Sequence, residues 1–151
     1  MNYKFDDSRY PLELFHDGDA VRAYEFLGAH FVCWDNRNGV VFRVWAPNAM
    51  SVSVVGNFNQ WDQNANRMYK ISQPGVWELF IEGLNQGEIY KYCIETMTGE
   101  RLFKADQYAF YAQLRPDNAS VIYELDGFKW TDGRWIRQKG KVTHRDRPLN
   151  I

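Results

Sequence analysis

Gly39-Val40-Val41-Phe42-Arg43-Val44-Trp45-Ala46, a Pro47-Asn48 break, and then Met50-Ser51-Val52-Ser53-Val54-Val55-Gly56 decide the fold. Both runs alternate with period two, the spacing at which strand side chains fall on one face. Val40, Phe42 and Val44 share a face of one strand, and Val52 and Val54 share a face of the next. Further along, Tyr90, Tyr92 and Ile94 line one side of a third strand, while Lys91, Cys93 and Glu95 line the other. Turn signals recur through the chain: Asn38-Gly39, Asn57 to Asn59, Pro74-Gly75, Asn85 to Gly87, Thr98-Gly99 and Pro116 to Asn118. They bound strands expected near 30–34, 39–46, 50–56, 67–71, 75–82, 88–96, 101–104 and 119–125. Half-buried strands with no long helix among them read as an all-β fold, a β-sandwich. One short helix is expected before them, capped by Asp19, lined by Val21, Tyr24 and Leu27, and stopped by Gly28.

The chain has 151 residues, enough for one ordinary domain and too few for a (β/α)₈ barrel of roughly 250. Six Trp, nine Tyr and ten Phe make it 17% aromatic. The net charge of −1 is divided unevenly: seven Lys/Arg against three Asp from Asp126 onward leave +4 there and −5 before it. The basic residues are spread out, which favours a solvated linker or a strip docking on another domain over a nucleic-acid arm. No stretch is long and apolar enough to cross a membrane, and no signal peptide opens the chain. The expectation is a cytoplasmic protein with neither nucleic acid nor membrane as partner.

No catalytic constellation is visible. His16, His30 and His144 stand in separate regions at no ligand spacing, so neither a metal site nor a cofactor is expected. There is no phosphate loop and no nucleophile elbow. Cys33, Trp45 and Cys93 have roughly the spacing of an antibody domain, but Lys91 stands where the tyrosine corner would be. Cys93 also alternates with Lys91 and Glu95 on the outer face, so no disulfide is expected.

The loop Gly56-Asn57-Phe58-Asn59-Gln60-Trp61-Asp62 carries the chemistry. Phe58 is expected to turn inward as an anchor. The flat face of Trp61 suits the C–H face of a sugar ring, with the amides of Asn57 and Asn59 bonding hydroxyls. A second reading stands beside it, in which Trp61 folds back over its own loop. Trp45 and Trp77 are expected to pack rather than bind.

Tyr24-Glu25-Phe26-Leu27-Gly28-Ala29-His30, Val41 to Ala49 with its Trp-Ala-Pro-Asn core, the 56–62 loop, Gly75 to Phe80, Tyr90-Lys91-Tyr92, Lys104 to Phe110, and Leu114-Arg115-Pro116 follow one another in order. The series resembles the N-terminal module of glycogen (1,4-α-glucan) branching enzymes over residues 12–151. The resemblance implies an immunoglobulin-like early-set sandwich of carbohydrate-binding module family 48. It implies an α-1,4-glucan such as glycogen as ligand and the catalytic barrel of the same full-length chain as partner. It divides the chain into an extension (1–22), the module (23–125) and a linker to the barrel (126–151). Trp61 then corresponds to a stacking tryptophan and Lys91 to a ligand-contacting lysine. Phe103 lies nearest to a second stacking position. The barrel's catalytic residues have no counterparts here. A purely structural module, or one from a debranching enzyme or a kinase subunit, is the alternative. Trp130, Trp135 and the basic tail are expected to be poorly ordered alone or packed on a neighbouring domain.

Overall fold

The computed structural model describes residues 9–127 and 129–139. Two antiparallel sheets face each other across one core. The first has the order β1 (Gly28–Trp34), β2 (Arg37–Trp45), β5 (Val76–Glu82), β4 (Tyr69–Lys70). The second has the order β3 (Ala49–Gly56), β6 (Ile89–Thr96), β9 (Ser120–Val121), β8 (Tyr111–Ala112), with β7 (Arg101–Lys104) also on β6. The β-sandwich expected from alternation is present, in the immunoglobulin-like form that the resemblance implies.

Registers explain the core. Ala29 opposes Phe42, Phe42 opposes Leu79, and Val44 opposes Trp77 on the inner face of the first sheet. Val52 opposes Ile94 and Val54 opposes Tyr92 on the inner face of the second. These side chains, with Tyr90, Ile122 and Met68, form the main buried cluster. A register shift between Ala49 and Ser51 turns Met50 out to solvent, the geometry of a β-bulge.

One lateral margin of the sandwich is sewn shut. Val54 N donates to Asn66 O and Met68 N to Val52 O, so the chain at 66–68 extends the β3 edge. The next two residues, Tyr69 and Lys70, pair with Glu78 and Trp77 of the other sheet. At Gly75, with φ +101°, a side chain would both strain the backbone and collide with Pro47, so the turn into β5 requires glycine.

The N-terminal helix differs from the sequence expectation. α1 spans Arg9–Asp17, ahead of Asp19, and Ala23–Glu25 is a single 3₁₀ turn. Pro11 hides α1 from a reading that treats proline as a breaker, yet a first-turn proline is tolerated because its missing N–H has no helical partner. Leu12 and Phe15 pack with Phe26, Leu27 and Val76 in a second cluster, while Val21, expected on the buried side, is exposed. The strand expected at 119–125 pairs regularly only at Ser120–Val121. Its continuation is held singly, by Ile122 N to Glu88 O and Gly87 N to Ile122 O. β8 and the seven-residue α2 (Gly133–Lys139) were not expected as regular elements. Trp130 and Trp135 are exposed. Residues 140–151, with the rest of the basic tail, lie outside the described residues.

Both cysteines are free. Cys93 faces outward as alternation required, yet it is buried, flanked in register by Ser53 and Phe103. Burial pushes its thiol pKa up, opposed by the Arg101 charge. A thiol reagent at neutral pH should therefore modify exposed Cys33 quickly and Cys93 only on unfolding. Two equally fast thiols in the native protein would contradict this placement.

Candidate functional site

The loop after β3 is built from its own amides. Gly56 N donates to Asn59 Oδ1 at 2.9 Å. Asn59 Nδ2 donates to Val54 O at 2.9 Å and to Asn66 Oδ1 at 2.7 Å. Asn57 Oδ1 accepts from Ile89 N at 3.1 Å, tying the loop to the start of β6. A side chain at Gly56 would collide with the Ile89 carbonyl and the Phe58 ring, so this crossing needs the missing Cβ. Phe58 packs against the main core, as expected of an anchor. Asp62 Oδ1 accepts from Asn64 N in an Asx turn.

Trp61 follows from this frame. Gln60 and Trp61 are both left-handed, with φ of 56° and 61°. That conformation costs about 1–2 kcal/mol for each non-glycine residue. Trp61 N donates to Gly56 O at 2.9 Å, which closes the loop. Trp61 remains 39% exposed, while Asn59 and Asn66 behind it are half-buried and bonded to each other. Strain held at one exposed aromatic is the pattern found where a side chain is being presented.

The chain just after the loop is clasped to the outer face of the second sheet at Gln63. Arg101 of β7, which opposes Glu95, reaches back so that its Nη1 donates to Gln63 Oε1 at 2.7 Å. Lys91 opposes Val55 on this face, and Phe103 opposes Cys93. Lys91 Nζ donates to Asn118 Oδ1, and Phe103 is 45% exposed. Ser51 Oγ donates to Glu95 Oε2 at 2.6 Å. The structure thus gathers Lys91 and Phe103 on one face, beside the loop that bears Trp61. Asn57 and Asn59 are in that loop, but their bonded atoms hold its backbone.

Sequence reasoning missed Asn118 and the Arg101–Gln63 clasp. Both link residues 27 and 38 positions apart, so no local pattern could signal them. Trp77 is buried, its indole donating to Ala46 O at 3.0 Å, which matches the packing expected of it. Trp45 is half exposed, its indole donating to Pro74 O and its ring meeting Phe15 edge-on at 5.8 Å. Among the described residues, no group of three or more His, Cys, Asp or Glu side chains is placed to hold a metal ion. Among them, too, no helix is long and apolar enough to cross a membrane.

Comparison with known proteins adds a family and relatives. A 1,4-α-glucan branching enzyme from Bacillus cereus is 47% identical over 127 residues, 84% of this chain but 20% of its own length. The branching enzyme of Bacillus cytotoxicus is 47% identical over 130 residues. The chain therefore spans about one fifth of the curated relatives it matches. Among solved structures, a type I pullulanase from Bacillus subtilis complexed with maltose is 28% identical with a TM-score of 0.56, covering 70% of this chain and 14% of its own. An α-amylase of Salmonella typhimurium, 18% identical over 73% of this chain and 17% of its own at a TM-score of 0.54, shares the fold. Residues 26–109 match the profile described as carbohydrate-binding module 48, the isoamylase N-terminal domain, and the chain belongs to that family.

Proposed function

We propose that this chain is the N-terminal, non-catalytic α-glucan-binding and docking module of a 1,4-α-glucan branching enzyme, and that the glucan lies on the outer face of the second sheet against Trp61. The observation that carries this reading is the strained, amide-stapled loop that leaves Trp61 exposed while Lys91, bonded to Asn118, stands on the outer face of the adjoining sheet. A glucose ring offers an apolar face to an indole and hydroxyls to the ammonium and amide. Phe103 serves as a second wall. Asn57 and Asn59 act by holding the loop in shape.

Branching-enzyme parentage rests on the 47% identity to those relatives, against 28% to the pullulanase. Residues 23–125 form the module, and 126–151 lead to the catalytic barrel that would be its partner within the longer chain. Cleavage and transfer of an α-1,4 chain belong to that barrel. Two free thiols accord with a cytoplasmic setting.

Electrophoresis of the chain through a native gel containing glycogen tests the reading. Wild type should be retarded, and Trp61→Ala should weaken apparent binding about tenfold or more, as truncation of a central aromatic contact does. Identical migration of both proteins with and without glycogen would leave only the docking role.

A further inference from the structure

The margin opposite the sewn edge is open, and a cleft of about 330 Å³ lies there. Its walls come from β1 and the residues before it, and from the segments around β8 and after β9. We propose that this cleft is a second saccharide site, taking one or two sugar rings of an α-glucan. It borrows its ligand class from the proposed function but stands on different residues.

The rings come first. Tyr24 and Tyr123 are exposed at the cleft, and Phe110 lines it with them. Phe110 meets Tyr24 edge-on at 6.5 Å and His30 edge-on at 5.7 Å. His30 is itself held by a 2.9 Å bond between Nε2 and Leu27 O. These contacts restrain Phe110 and His30 before any ligand arrives, which lowers the rotamer entropy lost on binding.

The polar groups complete the match. Glu25, Glu124 and Asp126 line the same cleft. Glu25 is paired with Arg22 at 3.1 Å. Glu124 and Asp126 have no hydrogen-bond or ion-pair partner among the described residues. Ionised carboxylates only accept, whereas a sugar ring is rich in hydroxyl donors. Ordered rings with a few convergent acceptors, in a cavity near the lower end of the small-ligand range of about 300–1,000 Å³, suit a mono- or disaccharide unit.

The cleft adjoins the Trp61 face. Tyr123 meets Tyr111 at 5.5 Å with a 31° tilt. Tyr111 opposes Val121, which opposes Ile89 on the outward side of β6. Lys91 projects from that same side. Tyr111 therefore stands two strand spacings, about 10 Å, from Ile89, and Lys91 lies two residues further along β6.

Amide NMR titration of the full 151-residue chain with maltotriose separates the two sites. In Trp61→Ala, the amides of His30, Phe110 and Tyr123 should still shift and saturate. In Tyr24→Ala/Tyr123→Ala those shifts should vanish, while amides near Lys91 and Asn118 keep theirs. Wild type and Trp61→Ala with no shifts at the cleft would overturn the proposal, whatever happens near Lys91. Shifts at the cleft with none near Lys91 would support it and sink the Trp61 reading instead. Because the wild-type and Trp61→Ala arms suffice, a Tyr24/Tyr123 variant that fails to fold leaves the test intact.

Discussion

Asp106→Ala is expected to lower the unfolding free energy by about 3–5 kcal/mol. Asp106 is buried where β7 leads towards β8. Its Oδ2 accepts from Tyr90 OH at 2.6 Å and from Tyr92 OH at 3.1 Å, and its Oδ1 accepts from Tyr108 N at 2.8 Å. Its own N–H donates to Ser120 Oγ at 2.8 Å. Tyr90 and Tyr92 are fully buried, and their rings meet at 5.9 Å. Removing the carboxylate orphans two hydroxyls inside the sandwich, each at about 1–3 kcal/mol. Urea unfolding would measure the loss, and a change under about 1 kcal/mol would contradict this role.

The same carboxyl makes a pH prediction. Burial raises the Asp106 pKa above the ordinary carboxylate value, opposed by the bonds from Tyr90, Tyr108 and Tyr92 and by the His30 charge. Burial also raises the phenol pKa values of Tyr90 and Tyr92, which keeps them as neutral donors. As pH falls through the raised folded pKa, the native state takes up a proton that the unfolded chain does not yet bind. Stability at this site therefore rises on mild acidification and levels off once the unfolded carboxyl protonates too. Wild type should gain relative to Asp106→Asn between neutral pH and the ordinary carboxylate range, the reverse of a surface-paired aspartate.

The second large effect is expected at Glu78. Arg43 Nε donates to Glu78 Oε2 at 2.6 Å, and both side chains are nearly enclosed on the outward side of the first sheet. The guanidinium also lies over the Phe26 ring at 4.6 Å and donates to Phe26 O at 3.4 Å. The pair thus joins β2 and β5 to the segment that leads into β1. Glu78→Ala removes the carboxylate bonded at 2.6 Å to a nearly enclosed guanidinium and should cost about 3–5 kcal/mol. In a domain of this size that is a Tm drop of about 10 °C or more by calorimetry. Replacing both partners with apolar residues of similar volume should recover most of the loss, because no buried charge is then stranded. A double variant as unstable as Glu78→Ala would show instead that shape at this site matters more than charge.

What could be read in the sequence follows from range. Alternation is local, so Val40, Phe42, Tyr90 and Tyr92 announced their face, and Lys91 announced the opposite one. Trp77 was legible from its strand position, and Phe58 from being the apolar residue in a loop of amides. Helix α1 was not, because Pro11 resembles a breaker until its first-turn position is known. Cys93 was placed on the correct side, yet its burial comes from Ser53 and Phe103 on neighbouring strands. The amides of Asn57 and Asn59 looked free for ligand. Their partners, Ile89 and Asn66, become visible only when the loop closes. Asn118, Tyr111 and Tyr123 reach the outer face through pairings that join distant parts of the chain, beyond any periodicity.

The segment at 66–70 gives the two sheets unequal margins. One side is stitched by main-chain bonds to β3 and then to β5. The other, between β1 and the segments around β8 and after β9, is bridged by side chains around an open cleft. Under load the sandwich therefore behaves as a book with a spine. Its leaves are expected to part first at Tyr24 and Phe110, with the stitched margin the last to tear.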